Sequence, residues 1–118
     1  GLLAMFVWMQ NHPEETRSVV SSIGMEDLQI FLHKQLRAVM EPIVDQHSID
    51  LRVTEDDRVF VTDHFTLAIL GHVSQWLATG MSTDPYILTE RIARVLDGQV
   101  RRSLEALAAN PIPAAQRA

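Results

Sequence analysis

TEDDRVFVTDHFTLAILGHVSQWLATGMSTDP, running from Thr54 to Pro85, decides the fold. It opens with the hydroxyl of Thr54 and three acids, Glu55, Asp56 and Asp57, which suit the N-cap and first turn of a helix. It closes at Gly80, a residue that fits the position just past a helix C-terminus. Between these signals the spacing predicts one helix from Thr54 to Thr79. That helix carries two apolar stripes. Val61, Phe65, Ile69, Val73 and Trp76 form one, and Phe60, Leu67, Leu70 and Leu77 form the other. A helix that is apolar on two faces is buried on two faces. Between the stripes lie small residues, Ala68, Gly71, Ser74 and Ala78. A glycine in mid-helix costs about 1 kcal/mol relative to alanine, a cost that close approach by a second helix would offset.

Working outward, Ser82-Thr83-Asp84-Pro85 reads as the start of the next helix, a hydroxyl cap followed by proline in the first turn. Its apolar positions run through Leu88, Ile92, Val95, Leu96, Val100, Leu104 and Leu107, with a bend expected at Asp97-Gly98. The turn between these two helices is short, so they should return antiparallel as a hairpin. Upstream, Leu2 to Asn11 forms a first helix, ended by Asn11-His12-Pro13. A second begins at Pro13-Glu14-Glu15 and stops at Gly24. A third runs from Met25 to about Asp45 on Leu28, Phe31, Leu32, Leu36, Val39, Met40 and Ile43, with Pro42 kinking its last turn. His47 to Val53 is a linker, and the proline-broken tail of residues 110–118 is expected to be flexible. The class is therefore all-α with five helices.

The hairpin has more apolar surface than three short N-terminal helices can cover. A twofold dimer, two hairpins packing as a four-helix bundle, solves this. The plain alternative is a monomeric bundle with the Thr54–Thr79 helix at its centre. The face expected at the dimer interface comprises Ala68, Gly71, His72, Gln75, Trp76, Leu88, Ile92 and Val95.

Composition bounds the function. A chain of 118 residues suits one domain, and 47% hydrophobic with 21% charged residues fits a soluble globular protein. Fifteen acids against 10 bases give a formal charge of −5, which argues against phosphate-backbone binding by this piece. There is no cysteine, so disulfide scaffolds and thiolate metal sites are excluded, and a reducing cytoplasm is compatible. The apolar run Leu2 to Met9 is far shorter than the roughly 20 residues of a membrane span, and it lacks the basic flank of a signal peptide. No membrane association is expected. The opening Gly1-Leu2-Leu3 falls inside an apolar helix, and further residues are expected before it.

Chemistry-bearing motifs are sparse. His12, His33, His47, His64 and His72 form no His-x-x-x-His or Glu-x-x-x-His pair. Asp63 and His64, being adjacent, point to different helix faces. There is no glycine-rich phosphate loop and no Gly-x-Ser-x-Gly elbow. Neither enzymatic activity, nor a metal, nor a cofactor is expected.

The run Gly71-His72-Val73-Ser74-Gln75-Trp76-Leu77-Ala78-Thr79-Gly80-Met81-Ser82-Thr83-Asp84-Pro85 resembles the junction of the last two helices in TetR/AcrR-type transcriptional regulators. There a tryptophan near the end of the penultimate helix precedes a Gly-Met pair and a polar-Pro start to the final helix. Trp76, Gly80-Met81 and Thr83-Asp84-Pro85 stand at those offsets, and the order of the upstream segments agrees over nearly the whole chain. The resemblance implies a repressor's regulatory domain over residues 1–109, which dimerises through its last two helices and senses an effector among the others. It also implies a helix-turn-helix headpiece before this point, which this sequence does not contain, so DNA would be reached only through that missing part.

A small apolar effector calls for an apolar pocket with few polar groups. Met5, Trp8, Met9, Phe31, Leu36, Met40, Phe60 and His64 are the candidate lining, since methionine and aromatic side chains adapt to varied apolar ligands. Each could equally be plain core. The competing reading is a dimeric helical protein-interaction module with no small-molecule pocket.

Overall fold

The computed structural model describes residues 2–113, which form five helices with no strand among the described residues. These are α1 (Leu2–Asn11), α2 (Pro13–Ser48), α3 (Glu55–Ala78), α4 (Pro85–Leu96) and α5 (Gln99–Ala109). The all-α class is as the periodicity predicts. The expected flexible tail is described only as far as residue 113, and the rest of it lies outside the described residues.

Local chemistry sets most boundaries. Thr54 Oγ1 accepts the Asp57 N–H at 3.1 Å, capping α3. At the other end the Met81 N–H donates to the Trp76 carbonyl at 2.8 Å and the Gly80 N–H to the Leu77 carbonyl at 3.1 Å. This is a Schellman closure, with Gly80 at its left-handed position. Two expectations need correction. The cap of α4 is not a hydroxyl: the Asp84 carboxylate accepts the N–H groups of Tyr86 and Ile87 at 2.8 and 3.3 Å, because Asp84 directly precedes Pro85 at the first helical position. The final helix also does not run unbroken to Leu107. Asp97 (φ −57°, ψ 122°) and Gly98 (φ 75°, ψ −10°) take type II turn angles and divide it into α4 and α5, a geometry that calls for glycine at the second position.

The segment expected as two helices is continuous as α2 except at Gly24, whose φ of 83° and ψ of 157° are essentially open to glycine alone. Helical dihedrals then persist through Pro42 to Ser48, beyond the expected end near Asp45. Pro42 cannot bond the Ala38 carbonyl, but both residues are exposed, so water can satisfy that oxygen.

The core is chiefly the seam between α2 and α3. Leu28, Leu32, Leu36, Met40 and Val44 repeat every fourth residue and meet Val61, Phe65, Ile69 and Val73, spaced the same way, and all are buried. Thr62 and Thr66 are buried beside them, their hydroxyls donating to the Arg58 and Thr62 carbonyls at 3.0 and 2.7 Å. From α1, Phe6 reaches Trp76 with ring centroids 5.2 Å apart. α4 packs mainly on α1, whereas α5 packs on α2 and α3. The chain measures 51 × 31 × 20 Å with a radius of gyration of 16.7 Å. A compact domain of this length would have about 13.5 Å, and 20 Å is only two helix diameters thick. The molecule is an extended two-layer slab.

Candidate functional site

Three of the hollows that border α3 have contrasting linings. The first separates α3 from α4. It holds about 500 Å³ and is walled by Ala68, Ile69 and His72 on one side and Leu88, Arg91, Ile92, Arg94, Val95 and Leu96 on the other. Gly71 and Gln75 are exposed on the same face of α3. A Cβ built on Gly71 would meet nothing within 4 Å, so nothing inside the chain requires a glycine there. Val95 is 68% exposed. Trp76, only 3% exposed, belongs to the core beneath the groove. Its indole N–H donates to the Thr83 carbonyl at 2.9 Å, pinning the turn that leads to α4. Ile92 is likewise buried, forming the floor of the groove. Of the eight residues expected at an interface, six therefore face outward or line the groove wall, and two support it from below.

The second hollow lies between the first half of α3 and α5. It holds about 440 Å³ and is lined by Asp56, Asp57, Phe60, Val61, His64, Phe65, Ser103, Leu107 and Ile112. Phe60 and His64 are stacked at 6.4 Å, and His64 meets the edge of Phe65 at 5.1 Å, so one wall is a row of rings. The third lies between α1, α2 and α3, holds about 260 Å³ and is lined by Met5, Leu32, Gln35, Leu36, Val39, Met40 and Ile69.

The expected effector residues do not share one pocket. Met5, Leu36 and Met40 come together in the third hollow, while Phe60 and His64 stand in the second. Met9 is core. Trp8 is 51% exposed and stacks on His12 at 4.3 Å, and Phe31 is exposed on α2. Sequence periodicity marks Leu107 only as an apolar helix position and does not single out Ser103. Their spacing of four places them on one face of α5, and the antiparallel return of the chain brings that face opposite Phe60 and His64.

Ion pairs hold the frame around these hollows. Arg37 Nε donates to Asp63 at 2.8 Å, tying α2 to α3, and Arg37 also reaches Glu41. The Asp63 hydrogen bond is the main reason the Arg37 pKa is raised. Arg58 is held by Glu55 and Asp45, which raises its pKa in the same way. Arg101 grips Asp50 with two parallel bonds of 2.6 and 2.9 Å and donates to the His47 carbonyl at 2.7 Å, anchoring α5 to the end of α2. This guanidinium holds the Asp50 carboxyl below its ordinary range. Among the described residues, no group of three or more His, Cys, Asp or Glu is placed to hold a metal, and no helix is long and apolar enough to cross a membrane.

Comparison with known proteins places the arrangement. The family of transcriptional regulator C-terminal regions of the TetR type matches residues 1–98, which include α1 to α4 and the turn after it. Searches of curated proteins and of solved structures gave no significant match. A helical slab whose α3/α4 reversal carries Trp76, Gly80-Met81 and Asp84-Pro85, matched over most of its length, belongs to the TetR-type family of transcriptional regulator C-terminal regions.

Proposed function

We propose that this chain is the homodimerising and effector-sensing domain of its regulator, with two copies meeting across the groove between α3 and α4. The observation that carries this reading is Gly71. It stands in the middle of a 24-residue helix, exposed, with open space where its side chain would be. A glycine there costs about 1 kcal/mol relative to alanine, and the monomer gains nothing from it. A second α3 crossing close to Gly71, over Ala68, His72 and Gln75, gives that glycine a purpose. The groove walled by Leu88 and Val95 and the two-layer slab shape support the same conclusion. In this reading the apolar hollows beside α3 receive a small effector, and a ligand shifts the dimer only by binding one arrangement better than another. Contact with DNA falls to a headpiece outside these 118 residues, in keeping with the net charge of −5.

The chain has no cysteine, which makes a direct test simple. A twofold interface brings a residue near its axis close to its own copy. His72→Cys should therefore form a covalent dimer under mild oxidation, whereas Arg52→Cys, in the connection between α2 and α3, should not. Equal cross-linking of both variants would remove the proposed interface.

A further inference from the structure

We infer that pairing across the α3/α4 groove works against an unmatched positive charge, so that added salt tightens the dimer. This rests on the pairing proposed above and concerns what regulates it. The charge is Arg91. Leu88, Arg91 and Val95 stand three and four residues apart on α4, so the guanidinium rises between the two apolar residues of the groove wall and not at its end. Among the described residues this guanidinium makes no hydrogen bond and no ion pair. Arg94, also on the wall, is held by Glu90 at 3.0 Å. No aspartate or glutamate among the described residues lines the groove. The other nearby acids are engaged or lie elsewhere. The Asp84 carboxylate caps α4, Asp97 lies in the turn beyond it, and Asp63 bonds Arg37 on the α2 side of α3.

A twofold interface matches a surface with itself. The partner therefore brings to this groove a second Arg91, a second Arg94 and a second His72, and no carboxylate. The apolar and small residues draw the copies together, and the guanidiniums oppose them as water is excluded. Salt weakens that opposition, so ionic strength sets how much of the chain is paired. The formal charge of −5 also makes whole chains repel one another, and salt screens that repulsion too. The sign of one substitution tells the two causes apart. Arg91→Gln removes the groove charge but makes the chain more negative. Local repulsion predicts tighter pairing of this variant, and overall repulsion predicts looser pairing. Arg52→Gln, at an exposed position in the connection between α2 and α3, makes the same change in net charge and leaves the groove alone.

Sedimentation equilibrium of the 118-residue chain and both variants tests this. The two conditions are about 0.01 and about 0.15 M sodium chloride, between which the Debye length falls from about 30 to about 8 Å. The parent Kd should fall roughly fivefold with the added salt. At low salt Arg91→Gln should pair roughly fivefold more tightly than the parent, with most of the salt response gone, and Arg52→Gln should pair no more tightly than the parent. Arg91 is exposed, so the variant should keep the circular dichroism of the parent. A parent dimer that loosens with salt, or an Arg91→Gln that behaves like Arg52→Gln, overturns the inference. Cross-linking of His72→Cys separates that failure from failure of the pairing itself. Cross-linked chains with no effect of Arg91→Gln would keep the interface and remove its charge control. Chains that stay monomeric at both salt concentrations, Arg91→Gln included, would remove both.

Discussion

The two sides of α3 differ sharply. Toward α2, Val61, Phe65, Ile69 and Val73 are buried against Leu28, Leu32, Leu36 and Met40, and Arg37 pairs with Asp63 beside the seam. Toward α4 the helix faces an open groove, with Ala68 and His72 on its wall, Val95 exposed opposite and Gly71 bare. The first sequence stripe is buried within the chain, whereas the second is divided: Leu70 and Leu77 pack partly against the core, and Phe60 and Leu67 stay exposed. The difference separates what holds the protomer together from what the proposed dimer would use. The α2/α3 seam sets the stability of the protomer, and in the proposed dimer the α3/α4 groove sets pairing, so substitutions on the two sides should separate into two measurements.

The largest effect belongs to the seam. Phe65→Ala should cost about 3–5 kcal/mol of folding stability, measured by urea unfolding at a concentration where pairing is negligible. Val95→Lys should change that same stability by no more than about 0.5 kcal/mol, since the residue is exposed in the protomer. In the proposed dimer it would bury an unpaired charge, and pairing should weaken by about 3 kcal/mol. If Val95→Lys unfolds the protomer instead, the separation of the two sides fails. Gly71→Ala sharpens the comparison because its two effects have opposite signs. The protomer should gain up to about 1 kcal/mol, as the new methyl meets open space, while dimer affinity should fall.

Much of this contrast is legible in the residues themselves. The Val61 to Trp76 stripe of α3, its Thr54 cap and its Gly80 closure are local signals, and each stands where periodicity and capping place it, whereas Phe60 and Leu67 of the second stripe are exposed and not buried as expected. The break at Gly24 is equally local. Two features are less so. Asp97-Gly98 can bend a helix or end it, and only the packing of α4 on α1 and of α5 on α2 and α3 decides that the chain turns there. Trp76 and Val95 look alike in a helical pattern, yet one is core and the other exposed, because Phe6 arrives from 70 residues upstream to cover Trp76. The effector candidates divide between two hollows for the same reason. A helical wheel groups residues along one helix and carries no register between helices.

The smallest expected effect concerns the anchor of α5. Arg101 lowers the pKa of Asp50, so the pair stabilises the fold above the ordinary carboxylate pKa. That stabilisation is lost as pH falls through the depressed folded value. The stability difference between the parent and Asp50→Asn should therefore be constant near neutrality and shrink on acidification below the usual carboxylate range. Both groups are exposed enough for salt to weaken the effect. A difference that grows on acidification would contradict this account of the anchor.

The central claim is that the uncovered face of α3 is covered by a second copy of the chain. Sedimentation equilibrium over a wide concentration range, with the parent beside Gly71→Trp, tests it most directly. The open space at Gly71 lets the protomer accept the tryptophan, so the circular dichroism of the variant should match the parent. A dimeric parent and a folded, monomeric variant is the predicted result. A parent that stays monomeric at high concentration, or a variant that dimerises as tightly as the parent, would contradict it.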